Sequence, residues 1–252
     1  MKKIYNTWMV LMTALAIFVS SCEKEGKPAI VPIKDLRPTS FSGFVMGDTL
    51  EQYFDGVRIR EYYGRVRFSG KIAFESENPI NMELKKKSTG EVLYTRIIEN
   101  NATAEKPFSF FYDGEKLTEN YIYPADIEGL EQIAFYLDFP EGVAADIVYG
   151  DGSDVNSVIY LARNIQPKQW SEFIKIPPLE GEMYVFLLKA GKNEYLIDND
   201  VNYSYMNAGI QLPNKYGYQG GKVQSWYVGM KADSQGKTVL FPQEDLVRLF
   251  PR

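Results

Sequence analysis

Two features of the chain bear on chemistry before any element is assigned. It has a single cysteine, Cys22, and among its 252 residues there is no histidine. Without an imidazole there is no His-based general acid or base, no Ser-His-Asp or Cys-His arrangement, and no His-ligated zinc or iron. Cys22 follows a basic start (Met1-Lys2-Lys3), an apolar run over residues 8–19, and two small residues, Ser20 and Ser21. That run is shorter than the about 20 apolar residues a bilayer-spanning helix needs. Its order of basic, apolar and small residues is that of a secretory signal. Small residues give a peptidase access to the backbone, and the thiol behind them is placed for acylation. With Cys22 so used, no thiol nucleophile or disulfide remains, and catalysis would have to rest on carboxylate, lysine, tyrosine or serine side chains.

Three further groups of side chains could do work. Arg58, Arg60, Arg65 and Arg67 form a stripe whose guanidinium forks match carboxylate or sulfate; the plainer alternative is the solvated face of a hairpin, balanced by Glu61 and Glu75. Asp151, Ser153, Asp154 and Asn156 fill one loop, and Asp198, Asp200 and Asn202 another. Hard oxygen ligands at alternate positions suit calcium, but Asp and Asn are also ordinary turn residues that bond their own backbone. We therefore assign no metal site and no cofactor. Aromatic side chains are abundant, with 18 Tyr, 15 Phe and 3 Trp. Trp170, Trp226 (more readily a core residue, since it lies within a strand), Tyr227 and the pair Tyr216 and Tyr218 lie near Gly/Pro-rich segments, where exposed rings can stack on the C–H faces of sugars. The stretch over residues 214–221 is polar, glycine-rich and carries that pair, as a long exposed loop would. Paired carboxylates for glycoside cleavage cannot be selected, because any two of the 33 acidic residues could qualify.

Strands must position all of these. Apolar residues alternate with period two over most of the chain. Val57, Ile59, Val66 and Phe68 are expected on one face of a strand pair, with the four arginines on the other and a bend at Gly64. Residues 82–84 and 92–94 flank Ser88-Thr89-Gly90 as a hairpin. After a less regular stretch over residues 115–130, strands are expected at 133–139, 145–149, 155–162, 173–176, 183–188, 194–197, 203–212, 223–231 and 238–241. Turn residues separate them. One helix is expected, over residues 243–250, with Pro242 at its start. Many short strands at close spacing predict an all-β chain of tandem β-sandwich, immunoglobulin-like domains. The expected organisation is a signal peptide over residues 1–21, a Pro-containing tether over 22–38, an N-terminal sandwich over 39–118 and a C-terminal sandwich over 125–252. A net charge of −5 argues against nucleic acid as partner.

Val19-Ser20-Ser21-Cys22 resembles the bacterial lipoprotein box, with Val19 in place of the commoner Leu. Glu23, Lys24 and Glu25 behind it resemble the acidic export signal of Bacteroidota surface lipoproteins. These resemblances imply lipidation at Cys22 and a place on the outer membrane, facing the cell surface. Each buried acyl CH₂ contributes about 0.8 kcal/mol, so several chains on one cysteine hold firmly. The layout of lipobox, acidic tether and sandwich domains is similar to that of accessory glycan-binding lipoproteins of polysaccharide-utilisation systems. It implies a non-catalytic protein that captures a polysaccharide. A structural or adhesive envelope protein, fimbrial or an assembly partner, is the alternative, and a carboxylate-based glycoside hydrolase a third.

Overall fold

The computed structural model describes residues 33–100, 108–150, 154–178, 183–197, 209–212 and 223–251. Apart from one short helix at the end, its elements are strands, arranged as β-sandwich layers. The first six are β1 (Asp35–Phe54), β2 (Val57–Phe74), β3 (Ile80–Lys86), β4 (Val92–Ile98), β5 (Phe108–Tyr112) and β6 (Leu117–Thr118). β1 and β2 form a long antiparallel hairpin that bends in the middle. Residues 46–49 of β1 stand opposite Tyr63 alone, and extra residues on one strand of a pair bend it. The half of β1 before the bend pairs with β5 in parallel; the half after it pairs with β3 antiparallel. One strand thus serves two layers, which close over Phe41, Val45, Leu50, Phe74, Met82 and Phe110.

The corner depends on glycine. A Cβ on Gly43 would lie 2.0 Å from the Phe110 carbonyl oxygen of β5. Gly47, at φ +80°, brings its α-carbon face against Gly114, where an added Cβ would meet the Gly114 Cα at 2.6 Å. Only a residue without a side chain allows backbones this close.

The remaining strands are β7 (Glu131–Asp138), β8 (Ala145–Tyr149), β9 (Ile159–Ile165), β10 (Ile174–Ile176), β11 (Met183–Lys189), β12 (Ile210–Leu212), β13 (Val223–Ala232) and β14 (Thr238–Asp245), followed by helix α1 (Leu246–Leu249). They make two four-stranded sheets, in the orders β10-β7-β13-β14 and β12-β11-β8-β9. Phe135, Leu137, Ile147, Val185, Leu187 and Val228 fill the space between them. Residues 119–130, which join the two sets of strands, carry no strand.

A third apolar cluster joins the two units. Strand alternation explains it, because successive side chains point to opposite faces. On β1, Phe41 and Val45 face their own core while Phe44 and Met46 face away from it. On β7, Phe135 and Leu137 face the second core while Tyr136 faces out; on β13, Val228 and Tyr227 divide in the same way. The outward set meets across the junction: Phe44, Met46 and Phe111 pack with Tyr136, Tyr227, Leu246 and Phe250. Where these strands are buried on both faces they read as apolar runs, as at residues 44–46 of β1 and 133–137 of β7.

Several local expectations are corrected. The tether over 22–38 ends sooner than expected, because β1 starts at Asp35 and Pro38 lies within it opposite Lys71. Among the described residues that part of β1 pairs with β2 alone, and proline is tolerated on an edge of this kind. The C-terminal helix starts later: Pro242 lies inside β14 after a cis Phe241–Pro242 bond, and residues 243–245 pair with β13. Asp245 opens the helix, accepting from the Val247 N–H and, across the sheet, from the Ser225 N–H. Residues 194–197 form a single bridge, Leu188 to Tyr195, rather than a strand. The arginine stripe also divides. Arg60 lies on the inner face in step with Tyr62, Val66 and Phe68, and its guanidinium stacks 3.5 Å from the Phe68 ring centroid, while Val57 and Ile59 near the register shift are exposed. Arg58 instead bridges Glu51 and Glu61, each at 2.9 Å, and Arg65 reaches Glu244 of the second unit at 3.4 Å.

Candidate functional site at the junction of the two units

The strongest convergence of polar and aromatic groups lies where the two units meet. Asp138, at the end of β7 and two residues beyond Tyr136, is the acceptor at its centre. Tyr63 of β2 donates to Asp138 Oδ2 at 2.7 Å, the Tyr227 hydroxyl donates to the same oxygen, and the Lys168 ammonium pairs with Oδ1. The Tyr63 and Tyr227 hydroxyls are 3.4 Å apart. Lys168 is held in place because its own N–H bonds the Leu137 carbonyl at 2.8 Å, with its backbone at φ +60°. Burial pushes the Asp138 carboxyl up, but the Lys168 ammonium and the two hydroxyl donors outweigh it and hold the group below the usual carboxylate range. The tyrosines shift the other way. Burial, reinforced by the Asp138 charge, pushes Tyr227 well up and Tyr136 to about 12, and burial raises Tyr63. At neutral pH Asp138 is therefore an anion and the hydroxyls are donors, a stable arrangement with no proton in play.

Beside this knot runs a line of aromatic rings that leads from solvent into the junction. Tyr123 and Tyr121 stack at 6.0 Å, Tyr121 meets Trp170 at 6.0 Å, and Trp170 meets Tyr136 at 5.5 Å. Tyr136 and Tyr227 stack at 5.6 Å with planes 11° apart, and Tyr227 meets Phe44 edge-on at 4.8 Å. Phe44 and Tyr227 are fully buried, while Trp170, Tyr121 and Tyr123 are half-buried. Trp170 owes its position to a bridge with Tyr136, supported by the Ser171 N–H to Phe135 carbonyl bond at 2.8 Å. Ile122, between the two tyrosines, is 87% exposed. The outer end of the line is thus an apolar, ring-bearing surface, and the hydroxyl, carboxylate and ammonium groups gather at its inner end, around Tyr227.

Of the aromatic residues expected to bind, Trp170 and Tyr227 are placed here, with Tyr227 fully buried. Trp226 lies on the opposite face of β13 from Tyr227, packs against the second core, and donates its indole N–H to Gln224 Oε1 at 2.9 Å. The two tryptophans therefore belong to different surfaces, and strand alternation is the reason. Tyr216, Tyr218 and Cys22 lie outside the described residues. In the first acidic loop, the Asp154 carboxylate accepts from Asn156 and Ser157, which is turn chemistry; Asp151, Ser153 and the second loop's Asp198, Asp200 and Asn202 lie outside the described residues. Among the described residues no group of three acidic or thiol side chains is placed to hold a metal ion. Tyr121, Tyr123, Tyr136, Asp138 and Lys168 were not singled out by sequence. The pair Tyr121 and Tyr123, flanking an isoleucine in a stretch with no strand pattern, was the available sign.

The site is thus an aromatic and polar surface carried by two rigid β-sandwich-like units. No protein-family model and no curated protein sequence matches the chain. Among solved structures it is similar to a family 26 carbohydrate-binding module from Eubacterium rectale, solved in complex with maltoheptaose. The identity is 12% and the TM-score 0.24, covering 81% of this chain and 96% of that one. A family 41 carbohydrate-binding module from streptococcal virulence factors, described as recognising alpha-glucan, gives the same identity, score and coverage. At these values the likeness says nothing of what this chain binds.

Proposed function

We propose that this chain is a non-catalytic binding protein of the bacterial envelope, held to the outer membrane by an acylated Cys22, which captures a glycan on the ring surface around Trp170. The observation that carries the binding reading is the line of half-buried rings at the junction, ending beside Asp138 and Lys168. Sugar rings pair apolar C–H faces with a rim of hydroxyls, and a fixed aromatic platform next to hydrogen-bonding groups complements both. The bridge to Tyr136 fixes Trp170, so little ordering entropy is lost there on binding. The Asp138 carboxylate already accepts from three donors, which favours a holding role over one in proton transfer.

Affinity electrophoresis tests this reading. The Cys22→Ser form, run through gels containing candidate polysaccharides, is expected to be retarded by at least one. Trp170→Ala should weaken that retardation by about tenfold, or 1.4 kcal/mol. Tyr123→Ala, further from the core, should weaken binding with no loss of melting temperature, which separates binding from folding. Unchanged retardation in both variants would move the site away from the junction.

The anchor has its own test. Mass spectrometry of the mature N-terminus is expected to show an acylated Cys22, and Cys22→Ser should shift the protein from the membrane fraction to the supernatant. An unmodified N-terminus upstream of residue 22 would contradict it. A structural or adhesive role is the second reading. One observation favours it: β2, 18 residues long, pairs only with β1 among the described residues, which leaves an edge that a partner's strand could extend.

A further inference from the structure

The open side of the N-terminal unit is a second candidate surface. The bend brings the two ends of β2 towards each other along its unpaired edge, and a groove of about 700 Å³ lies between them. Grooves of this size take small ligands. Its floor is core: Phe74 is fully buried, and Ile72 and Ile80 nearly so. Its lip is apolar and in water, with Val57 63% and Ile59 42% exposed. These two side chains follow the turn at residues 55–56, and Ile59 is the residue the register skips between Arg58 and Arg60.

The charges around the groove differ in kind. Asp55, Lys71 and Glu75 are exposed at its rim, and the Asp55 carboxylate accepts from the Asn81 N–H at 2.8 Å. Arg60 alone is half-buried and turned in between the layers. Its guanidinium rests on the Phe68 ring, its Nε is buried with no hydrogen-bond partner, and it forms no ion pair with a carboxylate among the described residues. A cation partly removed from water and lacking an anionic partner is costly unless something compensates. The groove therefore combines a long apolar surface with one positive head that, among the described residues, no carboxylate pairs.

We propose that this groove binds a single-chain anionic amphiphile, a free long-chain carboxylate. Its hydrocarbon lies along Ile59, Ile72, Phe74 and Ile80, and its carboxylate faces Arg60. This site lies on the N-terminal unit and is independent of the glycan surface at the junction.

The test is calorimetric titration of dodecanoate, below its micellar concentration, into the full chain carrying Cys22→Ser, without detergent. Saturable binding at one per chain is expected. Dodecanol, of the same length but uncharged, should bind at least tenfold more weakly, and that preference should vanish in Arg60→Gln. Ile59→Glu should lower dodecanoate affinity at least tenfold by placing a like charge on the lip. Val57→Glu, at a more exposed position, should do the same if Ile59→Glu fails to fold. No saturable binding, equal affinity for dodecanol, or full affinity in the folded lip variants would each overturn the proposal. So would concentration-dependent dimerisation abolished by Val57→Glu, which would make the lip a contact between copies.

Discussion

Gly43→Ala is expected to destabilise the chain by about 3 kcal/mol or more, and Gly43→Val to prevent folding of the N-terminal unit. The added Cβ would stand 2.0 Å from the Phe110 carbonyl oxygen, which belongs to a strand backbone and has no rotamer to change. Gly43 pairs with Phe110 in the parallel ladder between β1 and β5. The clash can be relieved only by parting those strands, and Phe110 is a fully buried part of the core they enclose. Overpacking in a core commonly costs about 1–3 kcal/mol, and occasionally more; here ladder bonds are lost as well. Thermal unfolding followed by circular dichroism measures it, with a fall of roughly 6–12 °C for about 3 kcal/mol in a chain of this size. A melting temperature within a degree of the parent would show that β1 and β5 do not approach as described.

Asp138→Ala should have the next largest effect, and it should act on the junction rather than on either core. Removing the carboxylate leaves the hydroxyl of Tyr227, a fully buried residue, and the Lys168 ammonium without their acceptor. Tyr63 loses its link across the two units. Stranded donors cost about 1–3 kcal/mol each when buried. Lys168 and Tyr63 are about half exposed and can recover water, so a total of about 2–4 kcal/mol is expected. Calorimetry should then show the two units unfolding in separate steps where the parent unfolds in one.

The pH dependence follows from the sign of the shift. Asp138 is held below its unfolded value, ordinarily about 3.9, so its contribution is fully present above that value. It is lost as the pH falls through the lowered folded value. The melting-temperature gap between parent and Asp138→Asn should therefore be constant from neutral pH to about pH 5 and close in strong acid. A gap that closes near neutral pH would contradict the assignment of Asp138 as a stabilised anion.

How much of this was legible in the chain can be judged residue by residue. Alternation with period two was enough to predict an all-β chain, and the turn at Ser88-Thr89-Gly90 correctly placed the hairpin of β3 and β4. Alternation does not say which face meets which neighbour. Tyr227 and Trp226 are adjacent, yet one lies at the junction and the other at the second core. The pairing of β1 with β5 and of β7 with β13 is parallel and joins segments far apart in the chain, so no turn residue announces it. The site at Asp138 draws on residues 63, 138, 168 and 227, and nothing in local spacing brings these together. In the arginine stripe, Arg58, Arg65 and Arg67 are exposed and Arg58 pairs with Glu61, as a solvated face would have it; Arg60 departs because alternation runs on through Gly64 and sets it on the face of Val66 and Phe68.

Glycan capture at the junction is the claim most directly exposed to test. The measurement is a glycan array probed with the Cys22→Ser chain and its Trp170→Ala variant side by side, followed by mass analysis of the bound sugars. Retention of a related set of glycans by the parent, loss of that set in the variant, and sugars recovered intact are the predicted result. An array with no glycan retained, or one whose glycans are recovered as cleaved products, would contradict it.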